Sequence, residues 1–172
     1  FTFVTEMSFA TILSLRWSYD LGWQKGLWFG LFHSISSFNN AGFDLFCEFK
    51  SLTGYAGDTT VTLCITTLII LGGIGFSVIV DIVKHFKESG RLQLHTKLVL
   101  SVSGFLIITG TIMIYLLEYN NALQDLSLPG KVLASYFQAV TPRTAGYNTL
   151  DMGALHSATQ FLIVILMFIG AS

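Results

Sequence analysis

The chain has 172 residues, is 52% hydrophobic and only 11% charged, and carries a formal net charge of −1. Soluble domains average roughly 25% charge, so a charge content this low, with a mean hydropathy of +0.66, points to a bilayer. The near-neutral balance lacks the strongly basic character of a nucleic-acid binder, and no nucleic acid is expected as a partner.

In chain order, residues 1–15 are mostly apolar but too short to span before Arg16. The opening has neither a Met nor a basic leader, so it does not read as a signal peptide. Residues 26–38 ("GLWFGLFHSISSF") are compatible with helical periodicity but too short to cross a bilayer. Residues 59–80 carry no Asp, Glu, Lys or Arg and meet the length of about 20 residues a crossing helix needs. Residues 98–117 do the same. Between them lie Lys84, Lys87, Arg91 and Lys97, a basic link expected on the cytoplasmic side, with Asp81 marking the cytoplasmic helix end.

A second short stretch covers residues 131–140 ("KVLASYFQAV"), and a third candidate span covers 152–172, stopping in "LMFIGAS" without a flanking charge. Both chain ends therefore read as interrupted membrane helices, and the sequence as a piece of a longer protein. The expected fold class is an all-α polytopic membrane protein; a soluble bundle of buried helices is the alternative.

The outer segments, around Asp44, Glu48 and Asp58 and around Glu118 and Asp125, are acidic or balanced. An acidic mouth raises the local cation concentration, while scattered acids on a solvated loop need no such purpose. Cys47 and Cys64 have no metal-ligand spacing and receive no role. His33, His85, His95 and His156 are dispersed, and no Ser, His and Asp grouping suggests nucleophilic catalysis; the chain is not expected to be an enzyme. Glu6 is an acid close to a membrane span, a functional hypothesis by default.

The chain repeats itself. Gly42 in "FNNAGFDLF" and Gly146 in "TPRTAGYNTL" stand 104 residues apart. The same spacing pairs Phe32 with Tyr136, Ser37 with Thr141, Ala41 with Ala145 and Phe43 with Tyr147. Each copy runs from an apolar segment through a polar link and a short stretch to an Ala-Gly-aromatic step and a further apolar segment.

The short stretches read as half-helices that enter from outside. Backbone can return through a membrane only where protein buries it or water lines it. Asn39, Asn40, Thr144 and Asn148 supply side-chain polarity there, and the glycines allow backbone closed to other residues. Pro142 is expected to terminate the second half-helix near its start or to kink it nearby. Half-helices ending near the midplane aim the negative ends of their dipoles at a shared site, which favours a cation; inward-facing carbonyls can then replace its hydration shell. A plain outer turn is the alternative reading of each loop.

"FHSISSFNNAGF" with "LIILGGIGFSVIVDI", and "VTPRTAGYNTLD" with "LMFIGAS", resemble the Trk/Ktr/HKT potassium-transporter superfamily, and within it the membrane subunit of bacterial Ktr systems. The resemblance implies four repeats of helix, pore half-helix with filter loop, and helix around one pore. This chain would hold the second repeat (residues 1–90, with a truncated outer helix) and the third (91–172, with a truncated inner helix).

By position, the resemblance makes Gly42 and Gly146 filter glycines, flanked by Asn39, Asn40, Ala41 and Phe43 and by Thr144, Ala145 and Tyr147. Arg143 and Asn148 would support the filter, Arg143 either as a fixed charge beside it or as a loop anchor. Gly72, Gly73 and Gly75 allow close helix packing or a hinge. Gly170, Ala171 and Ser172 would lead into a Gly- and Ser-rich gate loop. The implied substrate is K+, bound through backbone carbonyls, with Na+ a candidate coupling or activating ion; no cofactor and no transition metal is implied.

Implied partners are the lipid bilayer, a second copy of the full-length subunit in a homodimer, and a cytoplasmic nucleotide-binding regulatory ring. The implied location is the plasma membrane, the inner membrane in bacteria. A two-repeat channel subunit that dimerises, and a membrane enzyme or non-transport scaffold, are the alternatives.

Overall fold

The computed structural model describes residues 1–46, 51–88, 92–143 and 145–170. Cys47, Glu48, Arg91, Thr144, Ala171 and Ser172, all singled out above, lie outside the described residues, as does the side chain of Lys87. Among the described residues the chain is helical, with no strand.

Seven α-helices follow one another among the described residues: α1 (Thr2–Leu21), α2 (Trp23–Phe38), α3 (Thr59–Gly73), α4 (Phe76–Glu88), α5 (Leu94–Glu118), α6 (Leu128–Val140) and α7 (Ser157–Gly170). At about 1.5 Å rise per residue, α5 with its 25 residues can cross a hydrocarbon core of about 30 Å. The 16 residues of α2 and 13 of α6 cannot. Their lengths match the two expected half-helices, each with one extra turn at its start.

On α5, Leu98, Val102, Phe105, Ile108, Ile112 and Leu116 form an exposed stripe at helical spacing. The opposite face buries Ser103, Gly110 and Ile114. A large apolar side turned outward and a small-residue side turned inward is the pattern of a helix solvated by lipid. This is an all-α membrane protein.

Close packing of small residues joins α1 to α2. A Cβ on Gly26 would lie 2.6 Å from the backbone nitrogen of Ser18, and one on Gly30 would lie 2.5 Å from that of Ser14. The pairs Ser14/Ser18 and Gly26/Gly30 share the four-residue spacing that lets membrane helices touch backbone to backbone. Only Gly22, at φ 83°, separates the two helices.

Helix α1 runs on through Arg16 to Leu21, where Arg16 pairs with Asp20 at 2.9 Å and with Asp58, the N-cap of α3, at 2.6 Å. Three expectations need correction. The run 59–80 is not one straight helix: α3 and α4 meet at 96°, with Gly75 at φ 90° in the break, a conformation that favours glycine. Asp81 therefore stands inside α4, not at a helix end, and accepts a hydrogen bond from the Gln93 N–H at 3.0 Å. Pro142 falls just after α6, in a 3-10 turn over Thr141–Arg143.

One core joins both halves of the chain. Leu13 and Trp17 of α1, Ile65, Leu68 and Ile69 of α3, Phe137 and Val140 of α6, and Ala145 and Tyr147 of the loop after it pack together.

Candidate ion-filter site

The loops after α2 and α6 meet. Gly42 and Gly146 adopt the same left-handed backbone, φ 70° and 86°. A Cβ on Gly42 would collide with the carbonyl oxygen of Ala145 and lie 3.8 Å from the Cα of Gly146; around Gly146 the equivalent space is open.

Each loop folds back on the helix that precedes it. The N–H of Ala41 donates to the Ser36 carbonyl at 2.9 Å, and those of Ala145 and Gly146 donate to the Thr141 carbonyl at 3.0 and 3.1 Å. Asn40, at φ 51°, donates its N–H to the Ser37 carbonyl at 3.2 Å. Such C-terminal carbonyls carry the negative end of the helix dipole, and neither α2 nor α6 has a basic residue in its last turn, although Arg143 stands in the 3-10 turn that follows α6. Both helix ends thus deliver partial negative charge to one place.

Asn39 and Arg143, also 104 residues apart, do the same work with different chemistry. Asn39 donates to the buried Glu6 carboxylate of α1 at 3.1 Å, while Arg143 donates to the Ser103 hydroxyl of α5 at 2.9 Å. Each ties the end of a half-helix to the long helix before it. Arg143 thus makes the bond a loop anchor would make, to a hydroxyl of α5. A Cβ on Gly170 would lie 2.8 Å from the Cα of Arg143, so α7 ends against this residue.

The outer ends of the loops are held by hydroxyls and rings. Ser36 donates to the Phe43 carbonyl at 2.8 Å, and Thr141 to the Tyr147 carbonyl at 2.8 Å. Those two carbonyls face back into protein. The Ser51 hydroxyl accepts from the Asn148 N–H at 3.2 Å, and the Asn148 carbonyl accepts from the Leu52 N–H at 2.9 Å, a further link between the two halves.

Phe43 and Tyr147, equal by spacing, differ in environment: Phe43 is 70% exposed and Tyr147 is fully buried. Asn39 and Ala41 are exposed, and so is Gly146.

His33, which carried no role in the sequence reading, sits fully buried behind the first loop. Its ring contacts Trp17, Phe29, Phe46 and Tyr147, with centroids 4.9 to 6.3 Å away. Nδ1 lies 2.8 Å from the Phe29 carbonyl, and Nε2 lies 3.4 Å from the Leu45 N–H. A carbonyl requires a donor and an N–H an acceptor, so the ring is neutral with its proton on Nδ1. Ser36 was also missed. The available signal was helical spacing: His33 and Ser36 share one face of α2, three residues apart.

Gly72 resolves the choice left open for "LGGIGF". A Cβ there would collide with the Phe38 carbonyl and lie 3.3 Å from Asn40 Nδ2. Gly72 thus lets α3 press on the end of the half-helix, while Gly75 carries the bend.

A family profile described as "TrkH: Cation transport protein" matches residues 7–172. The chain belongs to the TrkH family. It is similar to the Ktr system potassium uptake protein B of Bacillus subtilis, 46% identical over 99% of this chain and 38% of that protein. It is 38% identical to the protein of the same name from Vibrio alginolyticus, over 99% of this chain and 38% of that one. A third relative is the potassium/sodium uptake protein NtpJ of Enterococcus hirae, 36% identical over 100% of this chain and 38% of that protein. The chain thus spans about two fifths of the length of these TrkH-family relatives.

Proposed function

We propose that this chain supplies part of a pathway for K+ uptake, in which main-chain oxygens of the loops around Gly42 and Gly146, other than the inward-bonded Phe43 and Tyr147 carbonyls, replace the water around a bare ion. The observation that carries this reading is the approach of Gly42 to Ala145 and Gly146, at the C-terminal ends of two helices too short to cross a membrane. Helix-end carbonyls provide the negative field, and main-chain oxygens held by the loop hydrogen bonds take the place of mobile solvent. The names of the relatives support K+ as the ion, and that of NtpJ supports Na+ as a second one.

On this reading residues 1–90 and 91–172 are the second and third of four repeats in a longer chain. That chain acts in the plasma membrane as a homodimer joined to a cytoplasmic nucleotide-binding ring. Transport is passage down an electrochemical gradient, with no covalent step. The basic link near Lys84 and Lys97 belongs to the cytoplasmic face.

The test is ion flux through the full-length protein in liposomes. Gly42→Ser and Gly146→Ser should each weaken the preference for K+ over Na+. Unchanged selectivity in both variants rules the filter assignment out.

A further inference from the structure

We infer that the Tyr147 hydroxyl is a strut between the two loops, a positioning group that sets ion preference without touching the ion. The inference rests on the filter reading above. Tyr147 is fully buried and belongs to the second loop, yet its hydroxyl reaches the first. It lies 2.7 Å from Ser36 Oγ and 3.0 Å from the Phe43 carbonyl oxygen, while Ser36 Oγ itself lies 2.8 Å from that carbonyl.

Three oxygens form a closed triangle served by two O–H protons. Tyr147 donates to Ser36 Oγ, its shorter contact, with the Phe43 carbonyl as a second acceptor, and Ser36 donates to the Phe43 carbonyl. This cluster is a direct side-chain bond from one loop to the main chain of the other. It fixes the plane of the Phe43–Asp44 peptide, one residue beyond Gly42, which has no side chain of its own to hold it. Loss of the phenol leaves the ring packed against His33, at 6.3 Å between centroids, and frees the loop. Phe43, 70% exposed in the equivalent position, carries no hydroxyl, so this strut exists on one side of the site only.

The experiment uses full-length protein in liposomes, with K+ uptake measured against competing Na+. Tyr147→Phe and Ser36→Ala should each reduce the K+ over Na+ preference roughly three- to ten-fold, the effect of one hydrogen bond. The double variant should be no worse than the stronger single one, because both act on one carbonyl. Ser36→Thr, which keeps the hydroxyl, should restore the preference. Melting temperature in detergent should change little in Tyr147→Phe, separating positioning from folding.

Should Tyr147→Phe and Ser36→Ala keep selectivity while Gly146→Ser loses it, the strut is wrong and the filter stands. Additive losses in the double variant also overturn the strut. Should the glycine variants keep selectivity as well, both readings fall.

Discussion

The carbonyl oxygen of Ala145 occupies the space that a β-carbon on Gly42 would need, whereas the equivalent space beside Gly146 is empty of protein atoms. Two glycines with one backbone conformation are therefore required for different reasons. Gly42 answers to both sterics and φ, Gly146 to φ alone.

Alanine should separate them. In Gly146→Ala the left-handed backbone costs about 1–2 kcal/mol, and K+ uptake by the full-length protein should stay measurable. In Gly42→Ala the added methyl must push the two loops apart, and uptake should fall further, to a tenth or less of that of Gly146→Ala on the scale of an overpacked core. Equal loss in both variants would contradict the packing described here.

Glu6 and Asn39 offer a test of anchoring. Glu6→Gln keeps an acceptor for the Asn39 amide, and thermal unfolding in detergent should be close to that of the parent protein. Glu6→Ala removes the partner of a half-helix end and should cost about 1–3 kcal/mol. If the two variants melt alike, the Glu6–Asn39 bond contributes nothing.

The His33 tautomer can be read directly. Nitrogen-15 NMR of imidazole-labelled protein should report a protonated Nδ1 and a bare Nε2 across pH 6 to 8 (on the order of the range where free histidine titrates). An imidazolium signal, or a proton on Nε2, is incompatible with the contacts to Phe29 and Leu45.

Much of the helix plan was legible because run length against bilayer thickness is a strong physical criterion. It separated residues 98–117 from the short stretches at 26–38 and 131–140, and it located the loops between them. The break in 59–80 was legible only as one of two readings of its glycines: hydropathy is continuous through Gly75, and only a backbone angle interrupts the helix. The 104-residue spacing found the paired glycines but not the contrast between Phe43 and Tyr147. Spacing describes one copy at a time, and their burial depends on which neighbour each copy meets. Ser36 and His33 escaped for a related reason, since a hydroxyl or imidazole on an apolar helix reveals its partner only when the loop folds back over it.

The Gly75 break predicts a measurable shape. Spin labels at Leu63 and Phe86, both exposed, in a background with Cys47 and Cys64 replaced, should report a bent α3–α4 pair. Gly75→Ala should lengthen that distance, because alanine resists φ 90° and favours continuous helix. An unchanged distance would mean that packing, rather than glycine, imposes the angle.

The glycine and serine seam between α1 and α2 also bears on how the chain is made. A helix of 16 residues cannot anchor itself across a bilayer, and a protein still emerging from a ribosome has no later segments to shelter it. With one residue between them and backbones in contact, α1 and α2 can enter the lipid as a single hairpin, so the half-helix is chaperoned by the helix synthesised just before it. Across α5 and α6 nine residues intervene, and there Lys131 bonds the Tyr119 carbonyl at the end of α5 at 3.0 Å. The second hairpin thus adds a cation near its turn to the close packing of Gly110 on Ala139, where the first relies on proximity.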